Sequence, residues 1–246
     1  MKNKIIMNKT TDQPYKKPGI SIVLPALNEE DNIEILVGQI KNYFKTNSIP
    51  YEIIIVDDGS TDQTGSIADR LAGEYENITV IHHPENHGYG KSLRDGFHAG
   101  RHEYLFYTDA DLQFKINSLD LFVPYMQNGE ADMVVGYRVG RQDTFLRKFL
   151  AWGFNKFSST LFSLNVKDID CAFKLFKKQS YLKLELLSND FLIDTEILTK
   201  ARINNYTIEQ VGVRHYPRAA GETTVSFKHI LETFKGLAAL YLQTRK

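Results

Sequence analysis

Short apolar runs, each closed by a cluster of polar or acidic residues, alternate along this chain with segments whose apolar positions recur every three to four residues. Residues 20–24 are apolar and end at Pro25, which predicts a first strand. Asn28-Glu29-Glu30-Asp31 follows, with capping residues and early acids, and then Ile33, Leu36, Val37, Ile40 and Phe44 at helical spacing. Residues 51–56 are almost all apolar, as strands covered on both faces are. Asp57-Asp58-Gly59-Ser60-Thr61-Asp62 makes the next turn, with Ser60 or Thr61 placed to cap a helix running through Leu71. Residues 78–81 predict a third strand. The His82-His83 pair after it has no metal-spaced partner and reads as a solvated strand end. Asn86-His87-Gly88-Tyr89-Gly90 is a loop opening a helix over 91–99, and residues 104–109 are a fourth strand. This alternation predicts right-handed βαβ units and a parallel sheet.

The second half is less regular. Residues 116–126 predict a helix, 132–137 and 173–176 strands, 194–203 a helix and 208–213 a strand. Over 144–164, Leu146, Phe149, Leu150, Gly153, Phe157, Leu161 and Leu164 share one face, which places Phe149 and Phe157 in the core. Phe145 and Trp152 lie off that face, near Arg147, Lys148 and Lys156. Residues 226–242 carry Phe227, Ile230, Leu231, Phe234, Leu237, Ala238 and Tyr241 at helical spacing.

With 246 residues, 42% of them hydrophobic, the chain suits one domain over 19–246 preceded by a basic arm over 1–18. Thirty basic and thirty acidic residues balance, which disfavours nucleic acid as a partner. A single cysteine, Cys171, excludes an intramolecular disulfide and fits a reducing compartment. No apolar run is long enough to cross a membrane, and the one near the N-terminus is too short for a signal peptide.

The candidate chemistry lies where the strands end. In a parallel sheet the carboxyl ends of successive strands share one edge, so Asn28-Glu29, Asp57-Asp58 and Asp109/Asp111 should converge there. Asp109 and Asp111 stand at i and i+2, pointing the same way if the chain is extended. Two such carboxylates repel unless a hard divalent ion sits between them, and Gln113 continues the parity with a neutral oxygen. Asp57 suits a nucleobase N–H or a ribose hydroxyl. Helix N-termini after Gly59 and Gly90 offer N–H groups to phosphates, with Lys91 and Arg94 either adding charge or forming a solvated helix face. A P-loop, a dinucleotide fingerprint and a nucleophile elbow are all absent.

Pro25-x-x-Asn28-Glu29-Glu30, Val56-Asp57-Asp58-Gly59-Ser60, Asn86-x-Gly88, Asp109-Ala110-Asp111-Leu112-Gln113, Gly136-Tyr137-Arg138 and Arg218-x-x-Gly221-x-Thr223 together resemble the family 2 glycosyltransferases. The likeness is strongest to the dolichol-phosphate mannose synthase group and the bacterial polyprenyl-phosphate glycosyltransferases, and covers about residues 20–240. It implies an α/β GT-A fold with C-terminal amphipathic helices, a nucleotide-binding half over about 19–113 and an acceptor-binding half over about 114–246. It implies a GDP- or UDP-hexose donor, inversion at the anomeric carbon, and Mg²⁺ or Mn²⁺ held by Asp109, Asp111 and Gln113. Pro25, Asn28, Glu29, Asp57, Asp58, Gly88, Lys91, Asp109 and Ala110 fall on donor-site positions. Arg138, Arg147 and Arg218 fall on acceptor-phosphate positions, and Asp168 and Glu196 on further site-lining ones. Asp111, Arg138 and Asp170 are the residues it points to for catalysis. Two departures stand out: Cys171-Ala172 replaces a common Ser-Gly pair beside Asp170, and Thr224 stands where a lysine is frequent.

Acceptor type decides whether a base is needed. A phosphomonoester is largely dianionic at neutral pH and attacks without one. Arg138, Arg141 and Arg147, followed directly by an apolar–aromatic helix, suit a polyprenyl phosphate at the cytoplasmic face of a membrane, with Phe145 and Trp152 at the interface. The alternative is a saccharide hydroxyl, for which Asp170 or Asp194 would be the base.

Overall fold

The computed structural model describes residues 18–140, 145–218 and 227–244, without the side chains of residues 127, 145–150 and 227–235. The expected basic arm, Arg141 and Thr224 fall outside the described residues, as do the side chains of Phe145, Arg147 and Phe149.

β1 (Ile20–Ala26), β2 (Tyr51–Asp57), β3 (Ile78–His82) and β4 (Tyr104–Thr108) are joined by α1 (Ile33–Asn47), α2 (Thr64–Glu74) and α3 (Tyr89–Ala99). All seven residues of β1 and all five of β4 are buried, because helices cover both faces. The next strands are β5 (Met133–Val139), β6 (Phe173–Lys177) and β7 (Ile208–Arg214). A 3-10 turn (Ile116–Leu121) and α4 (Val123–Gln127) precede β5, where one helix was expected; Pro124 sits in the first turn of the new helix. α5 (Phe145–Leu161), α6 (Lys178–Leu182), α7 (Ile193–Ile203) and α8 (Phe227–Thr244) complete the order, α6 having given no periodic signal of its own.

Among the described residues the strands form one sheet in the order β3-β2-β1-β4-β6-β5-β7. β1 runs parallel to β2 and β4, β2 to β3, and β5 to β7. β6 alone is reversed, antiparallel to both β4 and β5, so the sheet is mainly rather than wholly parallel. The chain steps from β1 outward to β3, then crosses back to place β4 on the other side of β1. That reversal opens a crevice at the carboxyl ends of β1 and β4.

Phe157, expected in the core, is 49% exposed, while its neighbour Ser158 and Phe162, just past the end of α5, are buried. Trp152, expected off the apolar face, is 62% exposed. In α8, Leu237 and Leu240 are buried and Ala238 is exposed.

Candidate active site

A cavity of about 230 Å³ opens at the switch point. Pro25, Ala26 and Leu27 line it from the end of β1, Asp58 from beyond β2, and Asp109, Ala110 and Asp111 from beyond β4. Glu29, Asn86, Gly88, Tyr89, Ser92 and Arg218 complete most of the wall. The convergence expected of the three strand ends is therefore present. Asn28, Asp57, Lys91, Gln113, Arg138, Asp168, Asp170 and Glu196 do not line this cavity.

The two acids reach it by a different route from the one expected. β4 ends at Thr108, and Leu112 has a φ of 61°, so the chain turns instead of staying extended. Asp109 accepts a hydrogen bond from the Tyr89 hydroxyl at 2.9 Å, and Asp111 from its own turn at Gln113 N, 3.1 Å. Burial, followed by the charge of Asp111, pushes the Asp109 carboxyl up to about 8. Burial raises Asp111 as well. Paired carboxylates that resist ionisation, with only oxygen donors, suit a hard divalent cation that takes its remaining ligands from diphosphate and water. Among the described residues no third acidic, histidine or cysteine side chain joins them in a metal-binding group. Gln113, expected beside them, does not line the cavity: beyond the Leu112 turn its amide Nε2 donates to Tyr216 O at 3.2 Å.

Arg218 pairs with Glu29 and lies 4.0 Å from Asp111. It thus sits among the donor-site acids and not with Arg138. Glu29 is held by Asn32 at 2.7 Å, and burial raises its carboxyl. Asn28, at φ 55°, works behind the wall, accepting from Thr61 N at 2.8 Å and donating its own N–H to Ser60. Ser60 and Thr61 therefore stitch two strand-end loops together and do not cap a helix; Asp62 accepts Thr64 N at 2.9 Å where α2 begins.

His82 ends β3 exposed, as expected of a solvated strand end, but His83 is buried. His82 lies between Asp57 (3.0 Å) and Asp69 (2.8 Å). Asp57 also accepts Ser60 N, and so is turned from the cavity. His83, its side chain only 7% exposed, lies between Asp58 (2.6 Å) and Asp95 (3.0 Å). Asp58 in turn accepts the N–H groups of His87 and Gly88, both at 2.9 Å, which fixes the loop entering α3. Gly88 has a φ of 96°, and a Cβ there would meet Asn189 O at 2.4 Å. Lys91 is committed to Asp95 at 2.5 Å, so the helix-face alternative describes it.

A second cluster lies beside β6. Arg138 grips Asp168 through Nε and Nη2, both at 2.7 Å, leaving Nη1 without a hydrogen bond among the described residues. The Lys174 ammonium reaches Asp194 (2.6 Å), the Tyr107 hydroxyl (2.8 Å) and the carbonyls of Ile169 and Cys171. Tyr107 also donates to Asp194, so that carboxylate is committed and is a poor base. Asp170 is partly exposed and carries no hydrogen bond among the described residues. Burial, then the nearby Asp194 charge, pushes it up to about 7. A carboxyl whose folded value is raised favours the fold while protonated, and that contribution is lost as pH climbs from about 4 through about 7. Asp170→Asn is therefore expected to be more stable than the parent at pH 8, by about 2 kcal/mol after allowance for water access, with the difference vanishing below pH 4. Thermal unfolding across that range checks it; equal melting temperatures at pH 8 would refute it.

Tyr89, Asp190 and Phe191 line the cavity although no motif marked them. Tyr89 stood in plain view inside the glycine loop, whereas Asp190 and Phe191 fall between the predicted elements and carried no signal.

A model of the family described as Glycosyl transferase family 2 matches residues 21–184, more than half of the chain. The fold is of the GT-A type, and the chain belongs to glycosyl transferase family 2. It is 31% identical over 209 residues to dolichyl-phosphate beta-glucosyltransferase ALG5A of Trichomonas vaginalis, covering 79% of this chain and 64% of that one. ALG5D of the same organism is 28% identical over 229 residues, covering 84% and 70%. Glycosyltransferase AglD of Haloferax volcanii is 28% identical over 235 residues, covering 92% of this chain but only 36% of its own length. Glucosyl-3-phosphoglycerate synthase from Mycobacterium tuberculosis shares the fold. Its complex with Mn²⁺, UDP-glucose and phosphoglyceric acid gives a TM-score of 0.66 at 22% identity, covering 92% of this chain and 79% of that one. Its complex with Mg²⁺ and UDP gives a TM-score of 0.66 at 21% identity, with the same coverage.

Proposed function

We propose that this glycosyltransferase moves a hexose, glucose or mannose, from a nucleoside diphosphate to a polyprenyl phosphate, with inversion and with Mg²⁺ or Mn²⁺. The observation that carries the donor half is the cavity at the switch point, walled by Glu29, Asp58, Asp109 and Asp111. Asp109 and Asp111 would hold the metal, which when bound neutralises the leaving diphosphate. Glu29 and Asp58 face the nucleoside, and Pro25, Ala110 and Gly88 shape the wall around it. Solved relatives of this fold carry Mn²⁺ or Mg²⁺ with UDP or UDP-glucose, which supports both choices.

For the acceptor, the relatives named as dolichyl-phosphate glucosyltransferases support a lipid phosphate. Arg138 has Nη1 to donate, and Asp168 fixes the plane of its fork for phosphate oxygens. Trp152, Lys156 and Phe157 are all exposed on α5, the mixture that lies on a membrane surface. Peripheral attachment at the cytoplasmic face of a membrane is part of this reading; no described helix is long and apolar enough to cross one. We read residues 19–246 as one domain, donor half first.

Asp170 favours a second reading, in which the acceptor is a saccharide hydroxyl. A carboxyl near 7 with no hydrogen-bond partner among the described residues is suited to accept that proton. Purified protein with UDP-glucose or GDP-mannose and Mn²⁺ separates the readings. With a polyprenyl phosphate acceptor, Asp170→Asn should leave kcat within about tenfold, because no proton is removed. With a sugar acceptor it should fall by ~10²–10⁴-fold. Transfer to oligosaccharide but not to polyprenyl phosphate would overturn the first reading.

A further inference from the structure

One wall of the cavity comes from outside the strand ends. The segment between α6 and α7 brings Asp190 and Phe191 to it, and its neighbours hold that segment still. Glu196, 1% exposed, accepts the N–H groups of Leu187 and Ser188 from below, and is itself paired with Lys200 at 2.7 Å. Glu196 thus acts on the loop and not on the cavity. From α3, Arg94 donates to Ser188 O at 3.1 Å and to Asn189 Oδ1 at 2.6 Å. The N–H of Gly90 donates to Asn189 O at 2.8 Å, and a Cβ on Gly90 would meet Ser188 O at 2.5 Å.

What this fixed loop presents is specific. Asp190 spends Oδ1 on Leu192 N, turning the chain into α7, while its Oδ2 has no hydrogen bond among the described residues. Capping alone requires neither that the carboxylate line the cavity nor that the next residue be a partly exposed phenylalanine. The Phe191 ring stacks on Tyr89, with centroids 5.4 Å apart and planes at 27°, and Tyr89 holds Asp109 through its hydroxyl. The aromatic pair therefore adjoins the acids assigned to the diphosphate, and the transferred sugar is bonded to that diphosphate.

We infer that Asp190 and Phe191 form the subsite for the hexosyl group of the donor. Asp190 Oδ2 accepts hydrogen bonds from sugar hydroxyls, and Phe191, backed by Tyr89, covers an apolar C–H face of the ring. The inference rests on the nucleotide-sugar reading above, and the test tells the two apart. Dissociation constants are measured with Mn²⁺ for UDP against UDP-glucose and GDP against GDP-mannose, in wild type, Asp190→Asn and Phe191→Ala. Asparagine keeps a capping oxygen and removes the charge. In the pair that wild type binds, both variants should hold the bare nucleotide within about twofold and bind the sugar nucleotide about tenfold more weakly. Equal weakening of both ligands, or no change in either, would overturn the subsite and leave the donor class standing. Failure of wild type to bind any of the four would overturn the donor reading, and the subsite with it.

Discussion

Asp111→Asn is expected to lower transfer by ~10³-fold or more while leaving a folded protein. The carboxylate is 7% exposed, faces the cavity beside Asp109, and lies 4.0 Å from Arg218. Replacing it removes one of the two anionic ligands assigned to the metal. Under the proposed reading, charge building on the leaving diphosphate would then lose the cation that Asp109 and Asp111 would hold. The fold should not suffer, because burial already disfavours the ionised form of Asp111 and its charge raises Asp109. The substitution removes that repulsion and keeps an oxygen to accept Gln113 N. Steady-state assays with Mg²⁺ and with Mn²⁺, run beside thermal unfolding, check both halves. Near-full activity with Mg²⁺ would show that Asp109 and Asp111 hold no catalytic metal.

The first half of the fold was legible because each strand there is mostly apolar and each following turn is polar. That pattern arises where helices cover both faces of a parallel sheet. The reversal of β6 was not legible. Phe173-Lys174-Leu175-Phe176 reads the same in either direction, and its neighbours β4 and β5 come from distant parts of the chain. Phe157 misled for a related reason. It belongs to the periodic apolar set, but Ser158 beside it and Phe162 just past the helix are the buried side chains there. Periodicity reports which residues share a face, not how far the packed partner extends.

In the site, acids that end strands were legible as a convergent group, since topology alone brings strand ends together. The partners that occupy them were not. His82 and His83 lie on β3 or just past it, yet each bridges an acid at the end of β2 to one on a helix, a contact no local spacing encodes. The same holds for Gln113, which one left-handed residue diverts to Tyr216. Glu196 was found by its family position, but only the fold shows that it acts through the loop bearing Asp190.

Lys174→Met is expected to be strongly destabilising. Lys174 is fully buried, and its ammonium holds Asp194, the Tyr107 hydroxyl and two backbone carbonyls. Methionine fills much of the same volume, so the loss is electrostatic and not a cavity. Breaking one side of a buried pair costs about 3–5 kcal/mol, because the remaining charge keeps its desolvation penalty. For a domain of this size that lowers Tm by about 6–20 °C. The companion Asp194→Asn and the double variant separate two causes. If the penalty is the stranded Asp194 charge, Lys174→Met with Asp194→Asn should recover more than half of the stability that Lys174→Met loses. If it recovers little, the carbonyls of Ile169 and Cys171 are the larger part, and the lysine's main work is to hold the turn that carries Asp168 and Asp170. A Tm within about 2 °C of the parent for the single variant would refute both causes, since about that much is the smallest shift expected from 1 kcal/mol.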